Sequence, residues 1–218
     1  MTVDRPQARE FDLIVYGATG FVGKLLADYL ARYAPDGTRI ALAGRSQSKL
    51  KELSASLPGP GADWPLIVAD AADEAALDEL VLRTTAVVTT VGPYLKYGLG
   101  LVSACAKGGT HYADLTGETL FVRQIIDDYD ELARSTGARI VNSCGFDSIP
   151  SDLGVLLAYE HARDRGLGHL TDTTLVVVAM KGGFSGGTID SMRTTVDVVK
   201  ADPQLRTVIT DKLALSPD

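Results

Sequence analysis

The chain has 218 residues, of which 45% are hydrophobic and 22% charged, and a net charge of −7. This is an ordinary globular composition, long enough for one large domain or one and a half. The acidic balance argues against nucleic acid as the main partner, because duplex binding is dominated by Lys and Arg on phosphates.

Two cysteines, Cys105 and Cys144, lie in apolar settings without metal-ligand spacing. A disulfide framework is not expected, and a reducing cytoplasm is the default location. The opening MTVDRPQARE is polar and carries both charge signs, unlike a signal peptide. No apolar run approaches the length that spans a bilayer.

Strand-like runs alternate with helix-like ones. The runs FDLIVYG (11–17), TRIALAG (38–44), PLIVAD (65–70), AVVTTVG (86–92), HYADLTG (111–117) and ARIVNSCG (138–145) are mostly continuous and apolar, as strands buried on both faces should be. Between the first two, Val22, Leu25, Leu26, Tyr29, Leu30 and Tyr33 recur at helical spacing. Leu50, Leu53 and Leu57 mark a second helix. Leu77, Leu80 and Val81 mark a third, with Asp73 as its N-cap. A short helix over 101–107 stops at Gly108-Gly109, and a long one over 119–136 stops at Gly137. PGPGADWP (58–65) is a turn-rich loop within this unit.

This alternation predicts an α/β fold: a parallel, doubly wound sheet over residues 1–150. After Pro150 the rhythm changes. A helix over 151–165, a long strand in TDTTLVVVAMKGG (171–183) and a helix from Thr188 to Ala201 read as the start of a second, mixed α/β domain over 151–218. One strand cannot close a sheet. The expectation is that the sequence is cut short or that another chain supplies the rest, and exposed strand edges of that kind favour a homodimer.

YGATGFVG (16–23) sits where the first strand becomes a helix. Its spacing, G-x-x-G-x-x-G, differs by one residue from the dinucleotide fingerprint, with the same physics. Gly17 permits the tight turn, Gly20 lets backbone approach a pyrophosphate, and Gly23 lets the helix pack close to the sheet. The helix N-terminus offers free N–H groups to phosphate, and Thr19 adds a hydroxyl.

The second strand ends Ala43-Gly44-Arg45-Ser46, with Lys49 one turn on. No carboxylate stands where an NAD-preferring fold places one for the ribose. Arg45 supplies a permanently charged fork and Ser46 a hydroxyl, so NADP is the expected cofactor. Asp70 ends the third strand, beside the expected adenine. Thr90-Val91-Gly92-Pro93-Tyr94 ends the fourth, where bare backbone would let the nicotinamide half pass; a plain strand-ending turn reads equally well. Asp114 and Glu118 bracket the end of the fifth, and a helix-capping role suits Glu118. The Tyr-x-x-x-Lys relay of short-chain dehydrogenases is absent from the sequence. His111, His161 and His169 show no metal spacing and read as structural or surface residues.

Taken with CGFDSIPSDLG (144–154), the motifs YGATGFVG, LAGRS, TTVGPY, YADLTGE and KGGFSGGT resemble the saccharopine-dehydrogenase-like oxidoreductases, and among them the trans-acting enoyl reductases. The resemblance implies a Rossmann domain binding NADP, followed by a substrate and dimerisation domain. It implies reduction of an α,β-unsaturated acyl thioester carried by a polyketide synthase, in the making of phthiocerol-type envelope lipids. Carried over by motif, Gly17, Ala18, Thr19, Gly20, Phe21, Val22 and Gly23 bind pyrophosphate, and Arg45 and Ser46 the 2′-phosphate. Thr90, Gly92, Pro93 and Tyr94 approach the nicotinamide, and 144–152, beginning at Cys144, forms the floor between cofactor and substrate.

Enoyl reduction also needs a proton source and a stabiliser for enolate-like oxygen. Tyr94 stands first among candidates because its loop follows the fourth strand; Lys96 and Ser148 come next. Asp147 is read as orienting a loop or capping the helix near Pro150. Two other readings stay open: a dehydrogenase of another substrate on the same scaffold, and a non-catalytic NADP-binding or lipid-associated protein.

Overall fold

The computed structural model describes residues 9–179, 181, 183 and 186–216. Its centre is a six-stranded sheet in the order β3-β2-β1-β4-β5-β6, with every pairing parallel. The strands are β1 (Phe11–Tyr16), β2 (Ile40–Gly44), β3 (Leu66–Val68), β4 (Thr84–Thr89), β5 (His111–Ala113) and β6 (Ile140–Val141). This is the doubly wound Rossmann order, which reverses between β1 and β4.

Period-two alternation sends side chains to both faces of the sheet. Ile14, Tyr16, Ala41, Ala43, Val87 and Tyr112 enter one core. It is covered by α3 (Glu74–Leu82), α5 (Leu99–Gly108) and α6 (Thr119–Thr136). Val15 and Leu42 enter the other, covered by α1 (Phe21–Tyr33) and α2 (Gln47–Ser56). Asp73 caps α3, its side chain accepting from the Ala76 N–H at 3.0 Å. Gly109 and Gly137 end α5 and α6 in the left-handed conformation, as expected.

Several boundaries differ from expectation, each for a local reason. β4 stops at Thr89, not at residue 92, because the Val91 N–H turns back onto the Thr89 hydroxyl at 3.2 Å. β5 stops at Ala113 because the Asp114 side chain captures the Thr116 N–H at 3.0 Å, an Asx turn. The 58–65 loop contains a 3₁₀ turn, Gly59–Asp63, and a short helix α4 (Tyr94–Tyr97) follows β4.

The apolar stripe of α1 is only partly covered. Its fully buried residues are the small ones, Gly23, Ala27 and Ala31, with Leu26 and Leu30 half-buried beside them. Leu25, Tyr29 and Tyr33 are 58%, 60% and 67% exposed. The small side chains bring the helix close to the sheet.

Beyond β6 lie α7 (Ile149–Asp164), α8 (Gly186–Ala201) and α9 (Leu205–Thr210). The strand expected over 171–183 does not form within 171–179. A strand exists by hydrogen bonding to a neighbour, and none of the six described strands pairs with this segment. Leu175, Val176, Val177 and Val178 are exposed. Met180 and Gly182 lie outside the described residues.

Candidate dinucleotide site

The turn after β1 is built as its glycines require. Gly17 has φ +81°, and its N–H and that of Ala18 both donate to the Ala43 carbonyl, at 2.9 and 3.1 Å. A Cβ on Gly17 would stand 2.6 Å from Val91 Cγ2. On Gly23 it would stand 2.2 Å from the Gly17 carbonyl oxygen, so only glycine lets α1 sit this close. Gly20 is different. Its φ of −72° and ψ of 169° suit any residue, and the nearest atom to an added Cβ is the Gly17 oxygen at 3.3 Å. Its bare backbone therefore leaves open the space above the turn.

Gly20 is also the N-cap of α1, and no side chain caps that helix. Helix-start N–H groups without a capping side chain are an anion site in waiting. Phe21 and Val22, exposed, and Thr19, half-buried, surround it. Ala18 is buried beneath.

At the next strand end, Arg45 is exposed and carries no ion pair among the described residues. Ser46 caps α2, its Oγ accepting from the Lys49 N–H at 3.5 Å and lying 3.2 Å from Ser48 Oγ. Asp70 is exposed and accepts from the Ala72 N–H at 3.0 Å. The buried Tyr16 phenol, which feels the charges of both Asp70 and Arg45, donates to the Ala69 carbonyl at 3.4 Å. Burial, then the negative charge of Asp70, push that phenol up to about 12, while Arg45 pulls the other way. The ends of β1, β2 and β3 thus meet at one corner.

Across the β1/β4 junction, Thr90 joins the same site. Its N–H donates to the Tyr16 carbonyl at 3.0 Å and its hydroxyl to the Gly17 carbonyl at 3.1 Å. Gly92 is exposed and Pro93 buried, joined by a cis bond.

Tyr94, the first of the proton-donor candidates, is enclosed. It is 6% exposed, stacked 5.5 Å from Phe121, and its hydroxyl donates to the Thr89 carbonyl at 3.3 Å. Burial and the nearby Asp114 raise its pKa well above the usual tyrosine value. A phenol enclosed in this way supports the loop from beneath. Lys96 is exposed, its ammonium 5.0 Å above the Tyr97 ring. Ser148 is the N-cap of α7, with its carbonyl accepting from Ser151 Oγ at 2.8 Å.

Two acids carry more of this architecture than their sequence context signals. Asp114, buried, accepts from the Tyr112 hydroxyl, the Asn142 side chain and the N–H groups of Thr116 and Ser143. It holds Ser143 at φ 59°, a left-handed conformation uncommon for serine. The exposed Cys144 follows, its N–H donating to the Asp114 carbonyl at 2.7 Å. Glu118 occupies the N-cap position of α6 but makes no side-chain cap there; it caps α4, accepting from Tyr94 and Leu95. No sequence signal separates capping one's own helix from capping a distant one.

Two surface hollows, of about 200 and 160 Å³, lie elsewhere, near Glu74, Asp78 and Lys107 and beside Trp64. The strand-end shelf is open. Among the described residues, no group of three His, Cys, Asp or Glu side chains is placed to hold a metal.

Comparison with known proteins agrees with this geometry. Residues 13–141 match the family described as the saccharopine dehydrogenase NADP binding domain. A Mycobacterium tuberculosis protein provisionally named a trans-acting enoyl reductase is 54% identical over 210 residues, which cover 96% of this chain and 50% of that protein. A second from the same organism, named trans-acting enoyl reductase, is 48% identical, over 98% of this chain and 51% of that protein. The chain thus spans about half the length of the curated relatives it matches. Among solved structures, the apo histidine-tagged saccharopine dehydrogenase (L-Glu forming) from Saccharomyces cerevisiae superposes with a TM-score of 0.58 at 18% identity, over 72% of this chain and 32% of that one. That likeness concerns the fold. On the sequence match, the chain belongs to the saccharopine dehydrogenase NADP-binding domain family.

Proposed function

We propose that this chain binds NADPH for a trans-acting enoyl reductase that reduces an α,β-unsaturated acyl thioester held on a polyketide synthase. By the motif resemblance, the product class is phthiocerol-type envelope lipid. The observation that carries the cofactor half of this reading is the uncapped, glycine-cleared start of α1 beside an Arg45 with no ion pair among the described residues. The named relatives carry the other half.

In this reading the first turn of α1 and Gly20 hold the pyrophosphate, and Arg45 with Ser46 holds the 2′-phosphate. Asp70 borders the adenine. Thr90, Gly92 and Pro93 line the nicotinamide side, with Cys144 at the floor. Bound NADPH supplies a hydride. Lys96 and Ser148 remain candidates to hold or move a proton, and Tyr94 supports the loop that leads into Lys96. Residues 1–150 form the cofactor unit, and 151–218 contribute to a substrate or dimerisation unit. No described helix is long and apolar enough to cross a membrane.

The enclosed Tyr94 phenol favours a second reading, an NADP-binding protein without turnover. Titration with NADPH and NADH by calorimetry, followed by NADPH oxidation with a carrier-bound enoyl thioester, separates the two. Binding with oxidation supports the reductase; binding without oxidation supports the second reading; no binding removes both.

A further inference from the structure

Glu118 is 6% exposed, yet both carboxylate oxygens are engaged. Oε1 accepts from the Tyr94 N–H at 2.9 Å and from the Ser191 hydroxyl at 2.6 Å. Oε2 accepts from the Leu95 N–H at 2.9 Å. The first two donors belong to different parts of the chain: Tyr94 opens α4, immediately after Gly92-Pro93, and Ser191 lies on α8. Three donors converge on one acceptor-only group, which is the chemistry of a carboxylate and not of an amide.

The neighbouring elements supply no substitute. Pro93, the N-cap of α4, has no side-chain cap bond. Tyr94 packs its ring on Phe121 of α6, three residues past Glu118. Lys96 of α4 has a favourable electrostatic contact with Asp190 of α8. The 90–95 loop is thus tied at one end to the glycine turn through Thr90 and at the other to α8 through Glu118.

We propose that Glu118 is a positioning residue that locks the Gly92–Leu95 loop and helix α8 into one unit on the nicotinamide side of the site. This rests on the NADPH reading above. A change at α8 then reaches the nicotinamide half of the cofactor through Glu118, while the adenosine half, held at β1–β3, is untouched.

The test compares two probes on the full chain: 2′,5′-ADP, which reads the adenosine half, and NADPH, read by calorimetry and by nicotinamide fluorescence. Glu118→Gln keeps one acceptor but points an NH₂ at a backbone N–H. It is expected to leave 2′,5′-ADP affinity unchanged and to weaken NADPH by about tenfold, with loss of the fluorescence change. Ser191→Ala removes only the α8 tie and is expected to alter the NADPH fluorescence while leaving 2′,5′-ADP affinity unchanged. Where Glu118→Gln fails to fold, the Ser191→Ala comparison carries the test. Equal losses for both probes, or no change for either, overturn the proposal. A wild-type chain that binds neither probe overturns the cofactor reading, and the proposal with it.

Discussion

The Thr90 hydroxyl donates to the Gly17 carbonyl at 3.1 Å, so the loop leaving β4 holds the glycine turn leaving β1. Removing that donor by Thr90→Val keeps the shape of the side chain and leaves a partly buried carbonyl short of one partner. The expected cost is about 1 kcal/mol in chemical denaturation, together with weaker NADPH binding. Unchanged stability and affinity would show that the clasp has no role.

The three glycines are expected to separate by experiment. Gly23→Ala places a Cβ against the backbone of Gly17 and Ala18, at 2.2 and 2.8 Å, where nothing flexible can yield. It is expected to destabilise the fold by about 1–3 kcal/mol or more. Gly20→Ala meets only one oxygen at 3.3 Å. It is expected to melt near the wild type while losing nucleotide affinity, and a full-affinity Gly20→Ala protein would refute the pyrophosphate assignment.

Arg45→Ala is expected to lower NADPH affinity by about ten- to a hundredfold, the range for loss of charge-assisted hydrogen bonds, and to leave NADH binding nearly unchanged. Calorimetric titration of both nucleotides gives the ratio directly. If the NADPH/NADH preference survives, Arg45 is not the discriminating residue.

The two thiols are expected to react very differently. Cys105 is buried, and burial raises its pKa far above the usual thiol range. Cys144 is exposed, its pKa raised more modestly by partial burial and Asp114. Mass spectrometry after iodoacetamide treatment should show one alkylated site in the folded chain and both in denaturant. NADP is expected to slow alkylation of Cys144. Equal rates with and without nucleotide would remove Cys144 from the site floor.

Stability should fall in alkali, and Tyr16 should account for part of the fall. Its folded pKa is raised to about 12 from the ordinary 10. A raised folded pKa means that the native state holds its proton more tightly than the unfolded chain. That contribution is complete below about pH 10 and disappears as the pH climbs through about 12. Denaturation midpoints compared across this window should show the wild type losing stability relative to Tyr16→Phe, which has no proton to lose from that buried position. Parallel curves would contradict the assignment.

Where sequence pattern and physics coincided, the fold was legible. α3 starts at Asp73 and α6 stops at Gly137, as expected, because a capping side chain and a left-handed glycine mark those ends. The glycine turn was legible because each glycine has a distinct steric reason. Periodicity was half right on α1: Leu26 and Leu30 pack against the core beside Ala27 and Ala31, while Leu25, Tyr29 and Tyr33 are exposed, since helical spacing marks a stripe without saying how much of it this chain covers. The burial of Tyr94 was not legible, because sequence locates a loop and not the direction of a ring. Glu118 caps a helix other than the one it precedes: its targets lie 23–24 residues away, a separation that only folding closes.

The uncovered Leu175–Val178 run has a practical consequence for anyone handling the chain. Four consecutive β-favouring aliphatic residues, with Val178 92% exposed, carry no charge and no proline to interrupt them. Such a segment is a template for cross-strand assembly. Light scattering should rise with protein concentration, and a lysine at Val177 should suppress it without touching the nucleotide shelf.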